Sequence, residues 1–176
     1  EIIAMVDRLK HEFFIENGCH IEEMNPTPGN KEGGITTLIE KSIGNVKKSG
    51  TCPIQGIIRF GWEIPRKGLW FIDAKIPGPD SYGVTTYAIH GAHLDLFSSG
   101  LGNPIGNAII PVIKLTGNPD TYASQMDNFD FNAGTILEGS SISETGEALY
   151  KLFINVINGK QTLTEALGYY EFSIPY

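Results

Sequence analysis

Apolar positions at the start of the chain recur at helical spacing. Ile2, Val6, Leu9 and Phe13 predict an amphipathic helix over residues 1 to about 16, stopped by Asn17-Gly18. Residues 25–34, Asn-Pro-Thr-Pro-Gly-Asn-Lys-Glu-Gly-Gly, break every period and read as a long loop. Thr37 with Glu40 three residues later forms a capping box, and Ile39, Ile43 and Val46 carry a second helix to Gly50. Ile54–Phe60 and Leu69–Ile76 are strand-like, and residues 82–90 a short helix. His93–Phe97 and Ile110–Leu115 read as two more strands. Asn118-Pro119 opens another short helix with an N-cap and proline at its first position. Leu149, Leu152, Phe153, Val156 and Ile157 give a last long helix a broad apolar face, ended by Asn158-Gly159, and Glu171–Ile174 reads as a final strand. Strands alternating with helices predict an α/β fold: a Rossmann-like, mainly parallel sheet with helices on both faces. No linker interrupts the pattern, so residues 1–176 read as a single domain.

Composition narrows the functional classes. The 176 residues are 41% hydrophobic, enough for a buried core. A net charge of -7 without a basic run argues against nucleic acid. It also repels acidic substrates at long range, so an anionic ligand needs a local pocket of Lys, backbone N–H groups or metal. No stretch reads as a membrane span or signal peptide. Cys19 and Cys52 lie far apart and read as free thiols of a reducing, cytoplasmic compartment. The opening at Glu1, directly into helical periodicity without a Met, reads as a segment of a longer protein.

Twenty-one glycines exceed the usual share of ~7%, and they cluster. One cluster lies in residues 29–34, the other in Ser98-Ser99-Gly100-Leu101-Gly102-Asn103-Pro104-Ile105-Gly106-Asn107, after a predicted strand. Ligand crevices in open α/β sheets lie beyond the carboxyl ends of strands. Glycines there free N–H groups to face an anion, and serines add hydroxyls. The same pattern also suits a tight turn with no ligand. Neither the dinucleotide fingerprint nor a P-loop is present.

His90 and His93 are the leading ionisable candidates. On a strand, residues 93 and 95 share a face, which would let His93 and Asp95 pair or bind a metal; a hydrogen-bonded histidine at a strand end is the plainer alternative. No metal-ligand spacing is complete, so the metal ligands stay open. Thr86 opens a predicted helix near the site, where N-capping is the competing role. Lys114, among apolar neighbours, needs a partner or a ligand.

Several motifs resemble the altronate/galactarate dehydratase family. Asn25-Pro26-Thr27-Pro28-Gly29-Asn30-Lys31-Glu32-Gly33-Gly34-Ile35-Thr36-Thr37, continuing into Glu40-Lys41-Ser42-Ile43-Gly44, is similar to a family signature. Phe97–Gly106 resembles its glycine loop, with Leu101 where the family carries Arg. Pro111-Val112-Ile113-Lys114, Asp130–Gly139 and the closing Thr164–Phe172 are similar to further family segments, in the family's order. The resemblance implies a hydro-lyase that removes water from an aldonate or aldarate to give a 2-keto-3-deoxy acid. It also implies dependence on a divalent metal, usually iron(II), bound mainly by a preceding region of the same protein. A neighbouring branch expels sulfite from sulfolactate. The expected partners are a small sugar acid and that preceding region, in a homo-oligomer with no nucleic acid and no membrane. Expected catalytic residues are His93, His90, Lys41 and Glu40. Expected substrate contacts are Asn30, Lys31, Thr86, Ser98, Ser99, Gly100, Gly102 and Asn103. A non-catalytic structural or dimerising module is the alternative. The polar character of residues 98–107 and of Asn30-Lys31 favours the catalytic reading.

Overall fold

The computed structural model describes residues 25–73 and 79–174, with Ala4, Arg8, His11 and residues 15–18; the side chain of Val46 is excepted. The helix expected over residues 1–16 therefore lies mostly outside the described residues, as do Cys19 and residues 74–76 of the expected second strand. Two compact units divide the chain, Glu1–Ile76 and Pro77–Tyr176.

In the first unit the breaker-rich loop contains a short helix, α1 (Pro28–Glu32). Proline's fixed φ suits the first helical position, which explains a helix where the loop composition hid one. Helix α2 (Leu38–Lys48) follows. The expected capping box takes a variant form. Thr37 Oγ1 accepts the Glu40 N–H (3.1 Å), while the Glu40 carboxylate returns to the N–H and hydroxyl of Thr36 (2.8 Å each). Strands β1 (Ile54–Ile58) and β2 (Leu69–Ile72) pair in parallel, with an irregularity between Ile54 and Ile57. Cys52 is a free, exposed thiol.

The second unit starts with α3 (Asp80–Ile89) and holds a three-stranded parallel sheet: β3 (Asp95–Ser98), β4 (Val112–Thr116) and β5 (Phe131–Asn132). The order is β3-β4-β5, with Asp95 opposite Val112 and Leu115 opposite Phe131. Central β4 is buried on both faces, as the middle strand of a parallel sheet must be. Val84 of α3 packs with Ile105, Ile110 and Val112, and Ala88, Ala92 and Phe97 close over them. The β3–β4 crossover, residues 99–111, contains no helix. After β4 come α4 (Pro119–Ser124), capped by the Asn118 side chain, and a 3-10 turn at Ala133–Ile136. Helices α5 (Ile142–Ile157) and α6 (Leu163–Ala166) each start with a complete capping box, Ser141–Glu144 and Thr162–Glu165. Among the described residues every strand pair is parallel, and the chain is α/β, consistent with a Rossmann-like fold.

The expected strand at Glu171–Ile174 does not form; these residues are irregular. Side chains tie them down instead of a ladder. Glu171 accepts the Gly106 N–H, Ser173 donates its N–H to Thr85 Oγ1, and the Ser173 and Ser81 hydroxyls bond each other at 2.8 Å.

Candidate functional site

In the first unit the signature segment is organised around a lysine. Lys41, in the first turns of α2, is half-buried and donates from Nζ to Asn25 Oδ1 (2.7 Å) and Asn30 Oδ1 (2.8 Å). Asn30 lies on α1, so the ammonium clips that short helix to α2. Asn25 joins the expected residues, and the signal for it is its place at the opening of the motif that contains the others. Lys31 is exposed, with no side-chain partner among the described residues. Glu40 sits at the start of α2, where its charge suits the helix dipole. Hydrogen bonds from the Thr36 N–H and hydroxyl hold its carboxyl below the ordinary value. A carboxylate so occupied caps the helix and makes a weak proton acceptor.

In the second unit the glycine loop leaves the carboxyl end of β3, where the sequence placed it. Side chains grip its carbonyls from below. Thr121 Oγ1 donates to Gly100 O (2.9 Å), Gln125 Nε2 to Leu101 O (2.9 Å) and Lys114 Nζ to Asn103 O (2.8 Å). In a trans peptide the next N–H points opposite the carbonyl. The Leu101 N–H therefore faces away from Thr121. Among the described residues the N–H groups of Gly100, Leu101 and Asn103 have no protein partner; those of Ser99 and Gly102 are taken by Leu115 O and Ser99 Oγ. The loop's potential for anions is thus narrower than its glycine count suggests. Gly102 has φ 91°, and a Cβ there would lie 2.2 Å from Gln125 Oε1. The positive φ calls for glycine at 102, whereas at Gly106 a Cβ would lie 2.1 Å from the backbone Tyr169 O, so close approach requires glycine there.

The expected substrate contacts in this loop divide. Ser98 ends β3 with an exposed side chain. Ser99 and Asn103 serve the loop itself: Asn103 accepts the Ile105 N–H through Oδ1 (3.0 Å) and donates through Nδ2 to Asp80. A small cavity of about 200 Å³ lies between Pro79–Ser81, Asn103–Ile105 and Glu171. Asp80 and Glu171 on its walls make it unsuited to an acid.

The histidines lie elsewhere. His90 caps the C-terminus of α3, its Nδ1 donating to Thr86 O at 2.7 Å. His93 is exposed in the bend before β3. Both precede the strand and so lie at its amino end, whereas the glycine loop departs from its carboxyl end, about 13 Å away over four residues. They are therefore not at the mouth of the sheet. Because β3 starts at Asp95, the period-2 argument placing His93 on the same face does not apply. Thr86 is a second correction: it is buried inside α3, its hydroxyl donating to Tyr82 O (2.6 Å), where no ligand can reach it. Asp95 is buried, and its Oδ2 has no hydrogen-bond partner. Burial raises its carboxyl to about 6, against a partial lowering by the Leu96 N–H.

Lys114 is fully buried in β4. Besides Asn103 O, its ammonium donates to Asn128 Oδ1 and lies 5.2 Å from the centre of the Tyr169 ring. Burial lowers its pKa, partly offset by Asp130 and Glu171. The partner that a lysine among apolar neighbours needs is thus the loop itself. Asp130 and Asn132 are structural too. Asp130 accepts the Lys114 and Leu163 N–H groups (2.8 Å each), and Asn132 caps the 3-10 turn. Among the described residues no group of three or more His, Cys, Asp or Glu could hold a metal ion.

The family model for the C-terminal part of D-galactarate/altronate dehydratases matches residues 1–176. The chain belongs to this family. It is 34% identical to altronate dehydratase of Escherichia coli K12 over 174 residues, 99% of this chain and 34% of that protein. It is 36% identical to the (2R)-sulfolactate sulfo-lyase subunit beta of Chromohalobacter salexigens over 96% of this chain and 42% of that protein. Galactarate dehydratase (L-threo-forming) of E. coli K12 is 33% identical over 84% of this chain and 28% of its own length. The chain spans about a third of the length of these relatives.

Proposed function

We propose that this chain is the C-terminal domain of a sugar-acid hydro-lyase, and that it supplies polar contacts to a site completed by the rest of the protein. The observation that carries the reading is the family match over the whole chain, with dehydratase relatives similar across most of it. Dehydration needs a base for the proton α to the carboxylate, stabilisation of the enediolate that results, and an acid for the departing hydroxide. The N–H groups of Gly100 and Leu101, without protein partners among the described residues, and the Ser98 hydroxyl suit the second task, since they are donors on a tethered loop at the carboxyl end of the sheet. Nothing in the residues near them suits the first. The base is therefore sought elsewhere in the full-length protein.

A second reading has a specific observation behind it. The sulfo-lyase subunit is as similar to this chain as the dehydratases are, and the two chemistries differ in the leaving group, sulfite or hydroxide. The deciding assay incubates the full-length protein, with iron(II) in the buffer, with altronate, galactarate and (2R)-sulfolactate. A 2-keto-3-deoxy acid from a sugar acid is expected. Sulfite release from sulfolactate, with no dehydration of either sugar acid, replaces the first reading with the second.

A further inference from the structure

The Lys41 clasp has a polarity that its hydrogen bonds alone determine. An ammonium only donates, so both asparagines must turn their amide oxygens toward it. Their Nδ2 groups then point elsewhere. Among the described residues neither Nδ2 has a protein partner, and Lys41 retains a third N–H with none. The cluster therefore offers an N⁺–H and two amide Nδ2 groups that have no protein partner among the described residues. Among the described residues no carboxylate is bonded to the ammonium: neighbouring Glu40 is turned back onto Thr36. Lys41, Asn25 and Asn30 are all half-buried and remain reachable. A cation in a chain of net charge -7 that is paired with two neutral amides keeps its field for an incoming anion.

We propose that Lys41, Asn25 and Asn30 form a carboxylate-binding site, and that its ligand is the carboxylate of a polyhydroxy monoacid. The choice of ligand within the anions rests on the sugar-acid reading above. An ammonium N–H with amide N–H donors beside it can serve the two oxygens of a carboxylate. In this arrangement Lys41 is a binding residue and not the proton acceptor. Asn25 and Asn30 set its position and add donors.

The competing role is a clip that only fastens α1 to α2. Replacing Asn30 with Asp separates the two, because a carboxylate at this position keeps the clip and cancels the charge. Calorimetry on the full-length protein would use D-gluconate as the anionic probe and D-glucitol as its uncharged counterpart. Wild type is expected to bind gluconate and not glucitol. Asn30→Asp is expected to weaken gluconate at least about tenfold while Tm holds or rises. Lys41→Met should lose gluconate binding as well; if that variant unfolds, Asn30→Asp decides alone. Unaltered gluconate affinity in a folded Asn30→Asp protein overturns the site, and so does a wild type that binds neither probe or both equally. Because binding is read without turnover, a protein inactive on every sugar acid would refute the hydro-lyase reading and leave this result standing on its own.

Discussion

Asp95 is a buried carboxyl with one oxygen unpaired, and its elevated pKa is a statement about stability. In the unfolded chain it ionises near 3.9, in the native state near 6. Below both values neither state carries the charge, so ionisation adds no cost. As pH rises from about 4 to 6 the unfolded chain ionises first, so folding stability falls by about 3 kcal/mol and stays reduced above that window. Urea unfolding between pH 4 and 8 is expected to show this loss in wild type relative to Asp95→Asn; parallel pH profiles would disprove it. Leu101 is the other informative single residue. It is 60% exposed at the loop's edge, so an arginine fits without repacking. Arginine binds a carboxylate through a two-pronged fork that leucine lacks. Leu101→Arg in the full-length protein is expected to shift kcat/KM about tenfold toward a diacid over a monoacid. Unchanged selectivity in a folded variant would count against a role for this position.

At the scale of elements, the helices announced by chemistry at their first residues were legible. Asn118-Pro119 caps α4 as read, and Thr37 with Glu40 starts α2. Ser141 with Glu144 carries the same kind of signal for α5, and Thr162 with Glu165 for α6. Neither signal registers in apolar periodicity, and α6 is too short to show any. Strand β5, two residues long, was invisible for the same reason. Glu171–Ile174 failed in the opposite direction: its apolar alternation is real, but its hydrogen bonds go to side chains of other segments. The loop's position after β3 was readable, whereas its internal wiring was not, since Thr121, Gln125 and Asn128 lie far along the sequence. Lys114 is the centre of that wiring. Lys114→Met leaves Asn103 O and the Asn128 amide without their donor and is expected to cost about 2–4 kcal/mol. It should also raise amide exchange at Gly102, whose N–H is bonded to Ser99 Oγ within the loop. An unaltered Tm would show that the lysine is dispensable to the fold.

For the whole molecule, the division into two units meets the chain's share of its relatives. Large apolar side chains in the first unit stand exposed, among them Ile39 and Ile43 of α2 and Leu69 and Phe71 of β2. A two-stranded sheet on its own is marginal in water. Such surface, in a chain spanning about a third of its dehydratase relatives, fits a domain that works as part of a larger protein. The 176-residue chain by itself is expected to show no turnover of altronate, galactarate or sulfolactate with iron(II) present. Robust turnover would mean that the base lies within it after all. No helix among the described residues is long and apolar enough to cross a membrane.

The helix-free crossover between β3 and β4 limits how this region can vary in length. Two parallel strands need a connection of roughly a dozen residues simply to return the chain to its starting edge. Residues 99–111 make that return with no helix to shorten and no spare loop. Deletions between Gly100 and Asn107 would therefore pull β3 out of register with β4, or detach carbonyls from Thr121, Gln125 and Lys114. Insertions face a much smaller barrier at Ala108-Ile109, where both residues are exposed and loop-closure entropy rises only slowly with length. Length changes among natural or engineered versions of this domain should accordingly collect at that point as additions, with the stretch before it fixed in length.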